Sequence, residues 1–397
     1  MRGPTLELKR GRERSLVRRH PWIFSGAVER IHGSPQTGDT LAVCAADGAF
    51  LAWAAYSPAS QIRARVWSFD EECPPGPGLF EAKIAAALKL RRRAVPAPAS
   101  DALRLVHAES DGLPGFVVDR YAEVLVVQLL SAGSERWRET LIGIVREQSG
   151  CTGIYERSDT DARALEGLVS RRGWIGQAAS DGLVRILENG IGYDVDVAGG
   201  QKTGFFLDQR DNRARVIRLA GGREALNCFC YTGGFTLAAL AGGANSVLSI
   251  DSSSAALERA RSNLGLNAMD AGRAVWLEAD VFGALRKLRA EERAFDLIIL
   301  DPPKFAPTPR DAARAARGYK DINLNALRLL NPGGLLATFS CSGGVSPELF
   351  QKIVAGAAAD AGVSLLLRER FAAAPDHPVL IDFPEGEYLK GLLLERR

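Results

Sequence analysis

The alternation of apolar and polar positions divides the chain into three blocks, without an internal repeat. Residues 1–72 alternate short apolar runs with turn residues, which is typical of a small β-rich barrel or sandwich. Residues 73–190 start with a Pro- and Gly-rich linker and then place apolar strands around helical stretches at 80–93 and 135–147. This pattern predicts a central α+β domain with an EEHEE-type order of elements. Residues 191–397 form the third block.

In the third block, short apolar strands alternate with amphipathic helices. Strands are predicted at 225–230, 246–251, 274–278, 295–300 and 334–340, with helices at 235–241, 254–267, 282–293 and 320–330. Repeated β-α units of this length predict an α/β fold with a doubly wound, Rossmann-like parallel sheet. Ligands bind such sheets at the carboxyl ends of the strands, so the residues that follow each strand are the first candidates for a site.

Composition and charge narrow the classes of protein that fit this organisation. The chain has 397 residues, of which 46% are apolar and 24% charged, as in an ordinary globular protein. Its net charge is only +3, yet residues 1–20 hold seven Lys or Arg and two Glu. A basic arm on a near-neutral body indicates a polyanionic partner. A solvated charged face is the alternative interpretation of such a run.

Membrane proteins, disulfide-rich proteins and metal enzymes fit the sequence poorly. No apolar stretch approaches the roughly 18 residues that span a bilayer, and no apolar run follows the basic N-terminus as in a signal peptide. The six cysteines are scattered without a disulfide framework, and none is spaced with a histidine as in a zinc site. We therefore expect reduced thiols, a cytoplasmic location and no metal.

The residues that follow successive strands of the third block carry the candidate chemistry. A glycine turn at 227–235 matches neither G-x-G-x-x-G nor a Walker A loop, which disfavours a phosphate cradle. Asp251 ends the second strand, where a carboxylate can accept hydrogen bonds from both hydroxyls of a ribose. Asp280 follows the third strand, in position to meet an exocyclic amine, and Asp301 follows the fourth. Each of these is also explained singly as a turn or a helix N-cap, but in this order they favour S-adenosylmethionine over a dinucleotide.

Cys341 follows the next strand, in a Ser-Cys-Ser segment at the same predicted edge as Asp301. Cytosine C5 is a poor nucleophile, but a thiolate that adds at C6 turns the ring into an enamine whose C5 can attack a methyl sulfonium. Asp301 can hydrogen-bond the N3/N4 edge of that ring and stabilise the adduct. Cys341 is therefore the candidate nucleophile, whereas the other cysteines in or near strands are expected to be structural.

Long motifs over nearly the whole chain resemble the RlmI-type large-subunit ribosomal RNA methyltransferases. In the C-terminal half these motifs are 202–210, 227–235, 301–305, 317–323, 339–343, 376–378 and 384–391. In the N-terminal half they are 18–26, 56–67 and 109–115. Motifs of this length and number are far more specific than a single glycine loop.

The resemblance implies a PUA domain that binds RNA at 1–72, a central α+β domain at 73–190, and a class I methyltransferase domain at 191–397. The implied activity is the transfer of a methyl group from S-adenosylmethionine to C5 of a cytosine in 23S ribosomal RNA. Cys341 would be the nucleophile and Asp301 the acid of the Asp-Pro-Pro motif. The implied cofactor contacts are Asp208, Gln209, Arg210, Asn227, Phe229, Tyr231, Thr232, Gly233, Asp251, Ser252, Asp280, Val281 and Asp301.

The basic arm and three residues near the predicted pocket are candidate RNA contacts. Phe305 and Tyr319 are candidates to stack a base that has left its helix, although both are also explained as core residues. Exposed strand edges make a homodimer a further expectation. The full set of candidates is Arg10, Arg12, Arg14, Arg18, Arg19, Lys304, Phe305 and Tyr319.

Other functions fit parts of this pattern. Asp-Pro-Pro segments also serve amino-group methylation, but an aromatic residue normally follows the second Pro, and here Lys304 takes that place. Related folds methylate guanine N7 without a covalent nucleophile, so Cys341 discriminates between these reactions. A non-catalytic RNA-binding assembly factor is a further alternative, as is a purely structural or protein-interaction role for residues 73–190.

Overall fold

The computed structural model describes residues 3–95, 99–178, 181–305 and 312–397. These residues divide into two compact units. The first unit contains the described residues up to Ile186, together with Val195–Leu207 and Pro375–Gly386; the second contains Leu187–Asp194, Asp208–Ala374 and Glu387–Arg397. Within the described ranges, no helix is long and apolar enough to cross a membrane.

The first unit begins with short strands and one single-turn helix. They are β1 (Thr5–Leu8), α1 (Arg14–Val17), β2 (Trp22–Phe24), β3 (Val28–His32), β4 (Thr40–Cys44), β5 (Phe50–Tyr56) and β6 (Ile62–Ser68). The strands form a six-stranded sheet in the order β2-β6-β5-β4-β1-β3. Alternate residues such as Leu6 and Leu8 are buried, as in a sheet with one covered face. The β-rich character expected of the N-terminal block is confirmed.

The next part of the first unit combines five strands with four helices. They are α2 (Pro77–Ala94), β7 (Ala102–His107), β8 (Phe116–Tyr121), β9 (Val124–Leu129), α3 (Ala132–Arg136), α4 (Arg138–Ser149), β10 (Gly153–Ser158), α5 (Asp161–Leu165) and β11 (Arg171–Trp174). The sheet has the order β11-β10-β9-β8-β7. The single helix expected at 135–147 was wrong, because the helix is broken at Trp137, whose ring packs 5.1 Å from that of Phe80.

A shared hydrophobic core joins the two sheets of the first unit. Ala55 and Trp67 of the six-stranded sheet pack into the same cluster as Phe80 of α2 and the apolar residues of the five-stranded sheet. The approach is close at Gly133, where a Cβ atom would lie 2.4 Å from Cβ of Ala55. A side chain at position 133 would therefore push α3 away from the six-stranded sheet.

The remaining elements include the sheet of the second unit. They are β12 (Leu183–Glu188), β13 (Ile191–Asp196), α6 (Arg210–Leu219), β14 (Glu224–Cys228), α7 (Gly234–Ala241), β15 (Ser246–Asp251), α8 (Ser254–Leu266), β16 (Ala274–Glu278), α9 (Val281–Ala290), β17 (Phe295–Leu300), α10 (Ala312–Leu329), β18 (Leu330–Ser340), α11 (Pro347–Ala361), β19 (Leu365–Ala372) and β20 (Lys390–Arg396). Strands β12 and β13 form a two-stranded sheet, and β14 to β20 form a seven-stranded sheet.

The seven-stranded sheet has the order β16-β15-β14-β17-β18-β20-β19. Strands β14 to β18 are parallel, and β20 pairs antiparallel with both β18 and β19. Apolar clusters cover both faces, with α9, α10 and α11 contributing to one, and α6 and α7 to the other. The doubly wound α/β fold is confirmed. The strand order reverses between β14 and β17, which is where such folds bind ligands.

Candidate active site at the carboxyl edge of the seven-stranded sheet

The loop between β14 and α7 has an unusual backbone. Phe229, Tyr231 and Gly233 have φ angles of 60°, 49° and 84°. Non-glycine residues seldom adopt positive φ, and such conformations concentrate at ligand sites. A Cβ atom at Gly233 would lie 3.1 Å from the side chains of both Ala260 and Leu237, so glycine suits this position on two grounds. The loop therefore brings backbone close to whatever binds at this strand end.

Asp251 at the end of β15 holds this loop in place. One of its carboxylate oxygens accepts a hydrogen bond from the Tyr231 backbone N–H at 2.8 Å, and the other accepts one from the Ser253 N–H at 3.0 Å. Two oxygens offer about four acceptor positions, so lone pairs remain for a ligand's hydroxyl groups. The partly buried carboxylate can thus support the loop and bind a ribose together.

Asn227 lies beneath the loop. It is fully buried, and its Nδ2 donates to Oγ1 of Thr236, which is 2.7 Å from Oγ of Ser249. Its Oδ1 is buried without a hydrogen-bond partner. This network ties β14, α7 and β15 together directly below the loop.

Asp280, Ser252 and Val281 occupy three different environments. The exposed Asp280 is the N-cap of α9, and its carboxylate accepts a hydrogen bond from the Gly283 N–H at 2.8 Å. Ser252 is exposed, whereas Val281 is only 3% exposed and packs in the hydrophobic core. The N-cap interpretation of Asp280 therefore describes its observed contact, and the exposed carboxylate stays open to solvent.

Asp301 follows β17 and is bound through a chain of amides. Nε2 of Gln209 donates to Oδ1 of Asp301 at 3.0 Å, and Nδ2 of Asn212 donates to Oε1 of Gln209 at 2.6 Å. Asp208 lies in the same segment, and its Oδ2 accepts a 2.6 Å hydrogen bond from the Tyr388 hydroxyl. The buried segment 208–210 thus reaches the Asp-Pro-Pro strand end directly.

This environment makes Asp301 a weaker acid than an ordinary aspartate. Burial raises the pKa of Asp301 to about 7, and the like charge of Asp208 adds to the rise. The hydrogen bond from Gln209 and the charge of Arg213 oppose it. A carboxyl group with this pKa can donate a proton at neutral pH as well as accept a hydrogen bond.

Cys341 follows β18, the strand next to β17, and is partly exposed. The flanking Ser340 and Ser342 are fully buried, and both hydroxyls lie 2.9 Å from the hydroxyl of Tyr319. Fixing both neighbours in this way restricts the backbone at Cys341. Since β17 and β18 are parallel neighbours, Asp301 and Cys341 leave the sheet at the same edge.

Two other cysteines lie at the end of β14. Cys228 and Cys230 are buried, and burial raises the pKa of each well above that of an ordinary thiol. Both therefore remain protonated at neutral pH, which makes them poor nucleophiles. Within the sheet-edge site of the second unit, Cys341 is the more accessible thiol.

The expected aromatic and basic contacts near this edge separate into two groups. Lys304 is exposed and Phe305 is partly buried, with its ring 4.8 Å from that of Tyr319. Tyr319 itself is fully buried in the core. Its expected role in stacking a base does not fit this position, because no face of its ring is exposed. The alternative interpretation as a core residue applies.

The basic arm lies in the first unit. The five candidate arginines of this arm are exposed, and Arg19 lies over the ring of Phe69 at 5.0 Å. Among the described residues, no ion pair involves them. Their charges are thus available to a polyanion; they are Arg10, Arg12, Arg14, Arg18 and Arg19.

Sequence reasoning missed three side chains that shape the site. Tyr388 binds Asp208, Asn212 binds Gln209, and Lys390 binds the loop after Cys341. One signal was available, since Lys390 interrupts an otherwise apolar run at 389–394. A lysine in a buried strand needs a specific partner.

These residues fit a nucleoside cofactor. Oδ1 of Asp208 and Oδ1 of Asn227 are buried without hydrogen-bond partners, and Asp251 keeps free lone pairs. The positive-φ loop brings backbone to the same edge, with the rings of Phe229 and Tyr231 partly exposed. Hydrogen-bond acceptors beside partly exposed rings suit an adenosine group better than a phosphate.

Comparison with known proteins gives the class first. The family model of S-adenosylmethionine-dependent methyltransferases matches residues 170–395, and that of PUA-like domains matches residues 6–69. A protein from Streptococcus mutans assigned as an S-adenosylmethionine-dependent methyltransferase superposes with a TM-score of 0.84 at 21% identity, covering 98% of this chain and 99% of that one. A structure of SMU.776 in complex with SAH gives 0.85, with the same identity and coverage. The chain is an S-adenosylmethionine-dependent methyltransferase, and S-adenosylmethionine is its cofactor.

A relative with high sequence identity shows which methyltransferase family the chain belongs to. Ribosomal RNA large subunit methyltransferase I from Shewanella amazonensis is 51% identical over 389 residues, which cover 98% of each chain. At this identity and coverage, the chain belongs to the ribosomal RNA large subunit methyltransferase I family.

Proposed function

We propose that this protein methylates C5 of a cytosine in 23S ribosomal RNA, with Cys341 as a covalent nucleophile. The name of the Shewanella relative supports the substrate class. The observation that carries the chemistry is the position of Asp301 and Cys341 after the parallel neighbours β17 and β18. A cytosine at this edge can meet a thiol and a carboxyl group of raised pKa at once.

The cofactor side of the site is assigned to three elements. We assign the ribose hydroxyls to Asp251, the adenosine group to the positive-φ loop that contains Phe229 and Tyr231, and further polar contacts to Asp208. When bound, S-adenosylmethionine supplies an electrophilic methyl group on a sulfonium centre. Asn227 and Gln209 act below this surface, since both are buried and fix the loop and Asp301.

The protein's own residues then activate the base. The Cys341 thiolate adds to C6 of cytosine, and the electron pair of the C5–C6 double bond becomes available at C5 for the methyl group. The protonated carboxyl of Asp301 donates to N3 and accepts from the N4 amino group, which stabilises the adduct. A base then removes the C5 proton, and the electrons of that C–H bond re-form the double bond and expel the Cys341 thiolate.

RNA binding is assigned to the N-terminal block. We propose residues 1–72 as the RNA-binding domain, 73–190 as the central domain and 191–397 as the catalytic domain, with support from the matches at 6–69 and 170–395. The exposed arginines of the basic arm would contact phosphates, and Lys304 and Phe305 would contact the target nucleotide. A cytoplasmic location and a homodimer belong to the same proposal.

A methylation assay tests the proposal. The purified protein is mixed with 23S ribosomal RNA made in vitro and methyl-labelled S-adenosylmethionine, and the labelled nucleoside is identified by mass spectrometry. We expect 5-methylcytidine with the wild-type protein and none with Cys341→Ala. Cys73→Ala is the matched control, because Cys73 is an exposed cysteine of the first unit and its loss should leave the product unchanged.

The other outcomes contradict the proposal in different ways. Labelled guanosine or adenosine would remove the role of Cys341 while leaving the fold and cofactor intact. Labelled 5-methylcytidine from Cys341→Ala would retain the substrate but exclude the covalent mechanism. Absence of label from ribosomal RNA and from immature ribosomal particles alike, with S-adenosylhomocysteine still bound, would favour a non-catalytic RNA-binding role.

A further inference from the structure

Lys390 is a buried charged residue that the proposed chemistry does not use. It begins β20, and its side chain is only 6% exposed. Its Nζ donates hydrogen bonds to the backbone carbonyl of Ser342 at 2.8 Å and to that of Val345 at 2.7 Å. Burying an ammonium group costs free energy unless the group is paired with an opposite charge and hydrogen-bonded. Both of these acceptors are neutral, and both lie in the loop that follows Cys341.

The strand register places Lys390 next to the segment that carries the nucleophile. In the antiparallel pair of β18 and β20, Lys390 lies opposite Ser340, the residue before Cys341. Lys390 therefore binds the segment that follows Cys341. Through the pairing of β18 with β20, it also lies opposite the residue that precedes Cys341. The hydroxyls of Ser340 and Ser342 are bound to Tyr319 on α10. The Ser-Cys-Ser segment is thus fixed by side chains from two different elements.

Charge interactions connect the same groups. Burial lowers the pKa of Lys390, while negative charge at Cys341 and at Glu387 raises it in part, and the charge of Lys304 lowers it. On the other side of the segment, burial and the charge of Cys341 raise the pKa of Tyr319, which therefore stays a neutral hydroxyl. Of these groups, Lys390 and Lys304 are the cations, and Lys390 is the buried one.

We infer that Lys390 is a positioning residue for Cys341: it holds the Ser342–Val345 turn through two carbonyls, and its ammonium charge stabilises the Cys341 thiolate. The inference deepens the proposed function and rests on it for its catalytic meaning. The ammonium group would reorganise little when the thiol ionises, because β20 and the two carbonyls hold it in place. The low-dielectric surroundings strengthen this interaction relative to one in water.

The pH dependence of alkylation tests the inference without requiring turnover. The full-length protein is treated with iodoacetamide from pH 5.5 to 10, and modification of the peptide that carries Cys341 is followed by mass spectrometry. In wild type we expect half-maximal reactivity below about 8.5, the value of an ordinary thiol. In Lys390→Met the midpoint should rise by about one pH unit, which lowers the thiolate fraction roughly tenfold near pH 7. Lys390→Arg should retain most of the wild-type behaviour, because it keeps the charge.

Two controls separate this effect from a general loss of structure. Lys352→Met removes an exposed lysine of α11 in the same unit and should leave the Cys341 profile unchanged. The exposed Cys73 of the first unit serves as an internal reference in every sample. If Lys390→Met fails to fold, the wild-type midpoint and Lys390→Arg still decide the question.

The inference is overturned if the wild-type midpoint is 8.5 or higher, or if a folded Lys390→Met keeps the wild-type midpoint. Its failure is distinct from that of the proposed function, which is decided by the product of Cys341→Ala. Loss of product in Cys341→Ala with no shift in Lys390→Met would remove the inference alone. A shift in Lys390→Met with product still formed by Cys341→Ala would retain the charge interaction and reject the covalent mechanism.

Discussion

Buried arginine–aspartate pairs neutralise charge in the first unit, whereas Asp301 and Lys390 at the sheet edge of the second unit are hydrogen-bonded by neutral groups. In the first unit, Arg104 contacts Asp119 through two hydrogen bonds of 2.7 and 2.8 Å, and Arg91 contacts Asp111 at 2.6 Å. Each of these ions therefore has an opposite charge beside it.

At the carboxyl edge of the second unit's sheet the pattern differs. Asp301 is bound by the amide of Gln209 and lies near the like charge of Asp208, and Lys390 is bound by two backbone carbonyls. Such arrangements destabilise the charged form, so they are seldom retained for stability. The absence of an opposite charge is not sufficient by itself, because Lys83 of the first unit also donates to two backbone carbonyls. The comparison teaches that such a buried group points to chemistry where it lies at the same sheet edge as a candidate nucleophile, as Asp301 and Lys390 do.

The largest expected effect is the loss of catalysis in Asp301→Ala, which tests whether the buried carboxyl at the sheet edge is used for chemistry. Removal of the carboxyl deletes both the proton donor to N3 and the acceptor for N4, so kcat/KM for ribosomal RNA should fall roughly 10²- to 10⁴-fold. Steady-state methylation kinetics measure this, with Asp360→Ala as the control, since Asp360 is exposed on α11. Equal kinetics for both variants would mean that the raised pKa of Asp301 has no catalytic use.

The second prediction concerns stability rather than activity, because the substitution breaks an ion pair that we assign to structure. Asp111→Ala leaves the buried Arg91 without its carboxylate and should lower the free energy of unfolding by about 3–5 kcal/mol. Denaturant unfolding measures that loss, and activity per folded molecule should remain near wild type. An Asp111→Ala protein with normal stability but impaired turnover would break the division between the two kinds of buried charge.

The third prediction concerns stability against pH at the catalytic edge. The pKa of Asp301 is raised to about 7 in the folded protein, compared with about 3.9 in an unfolded chain. Between these values the folded state binds the extra proton, so this carboxyl makes the wild type less stable as pH rises from about 4 to 7. Asp301→Asn removes that loss and should melt a few degrees higher at pH 8, at about 2–4 °C per kcal/mol for a domain of this size.

Thermal melts at pH 8 and pH 4.5 test the predicted direction of the stability difference between Asp301→Asn and wild type. The difference between Asp301→Asn and wild type should be several-fold smaller at the lower pH, because pH 4.5 lies close to the unfolded-state pKa of about 3.9 and little of the pH-dependent loss has accumulated there. A variant that is less stable than wild type at pH 8 would show that the Asp301 carboxylate is stabilising after all.

The pattern of apolar and polar residues predicted those strands whose bounds depend on residues nearby in the sequence. The strands at 246–251, 274–278 and 295–300 have the predicted bounds, because each is a short apolar run between polar turns. The break at Trp137 was not predictable in this way, since it depends on packing against Phe80, which lies far away in sequence. Tertiary contacts overrode helical periodicity there.

The site shows the same limit. The sequence could predict that Asp251, Asp301 and Cys341 share one edge, because Asp251 ends its strand, the other two directly follow theirs, and parallel strands bring their carboxyl ends together. Lys390 was missed because its partners come through the antiparallel pairing of β20 with β18, whose register no local pattern encodes. For Tyr319 the sequence left a stacking role and a core position open, because a local pattern does not show whether an aromatic ring is buried or exposed.

The smallest predicted effect concerns the exposed arginines of the basic arm in the first unit, which form no ion pair within the described part of the chain. Replacing Arg14 and Arg18 together by alanine removes two candidate phosphate contacts, so the slope of log affinity against log salt should decrease by about two. Filter binding with ribosomal RNA at several salt concentrations measures this slope, and kcat at saturating RNA should be unchanged. The double variant Arg92→Ala/Arg93→Ala removes the same charge from another exposed part of that unit and is the control. Equal slopes for both double variants would mean that the basic arm is a solvated surface and that RNA is bound elsewhere.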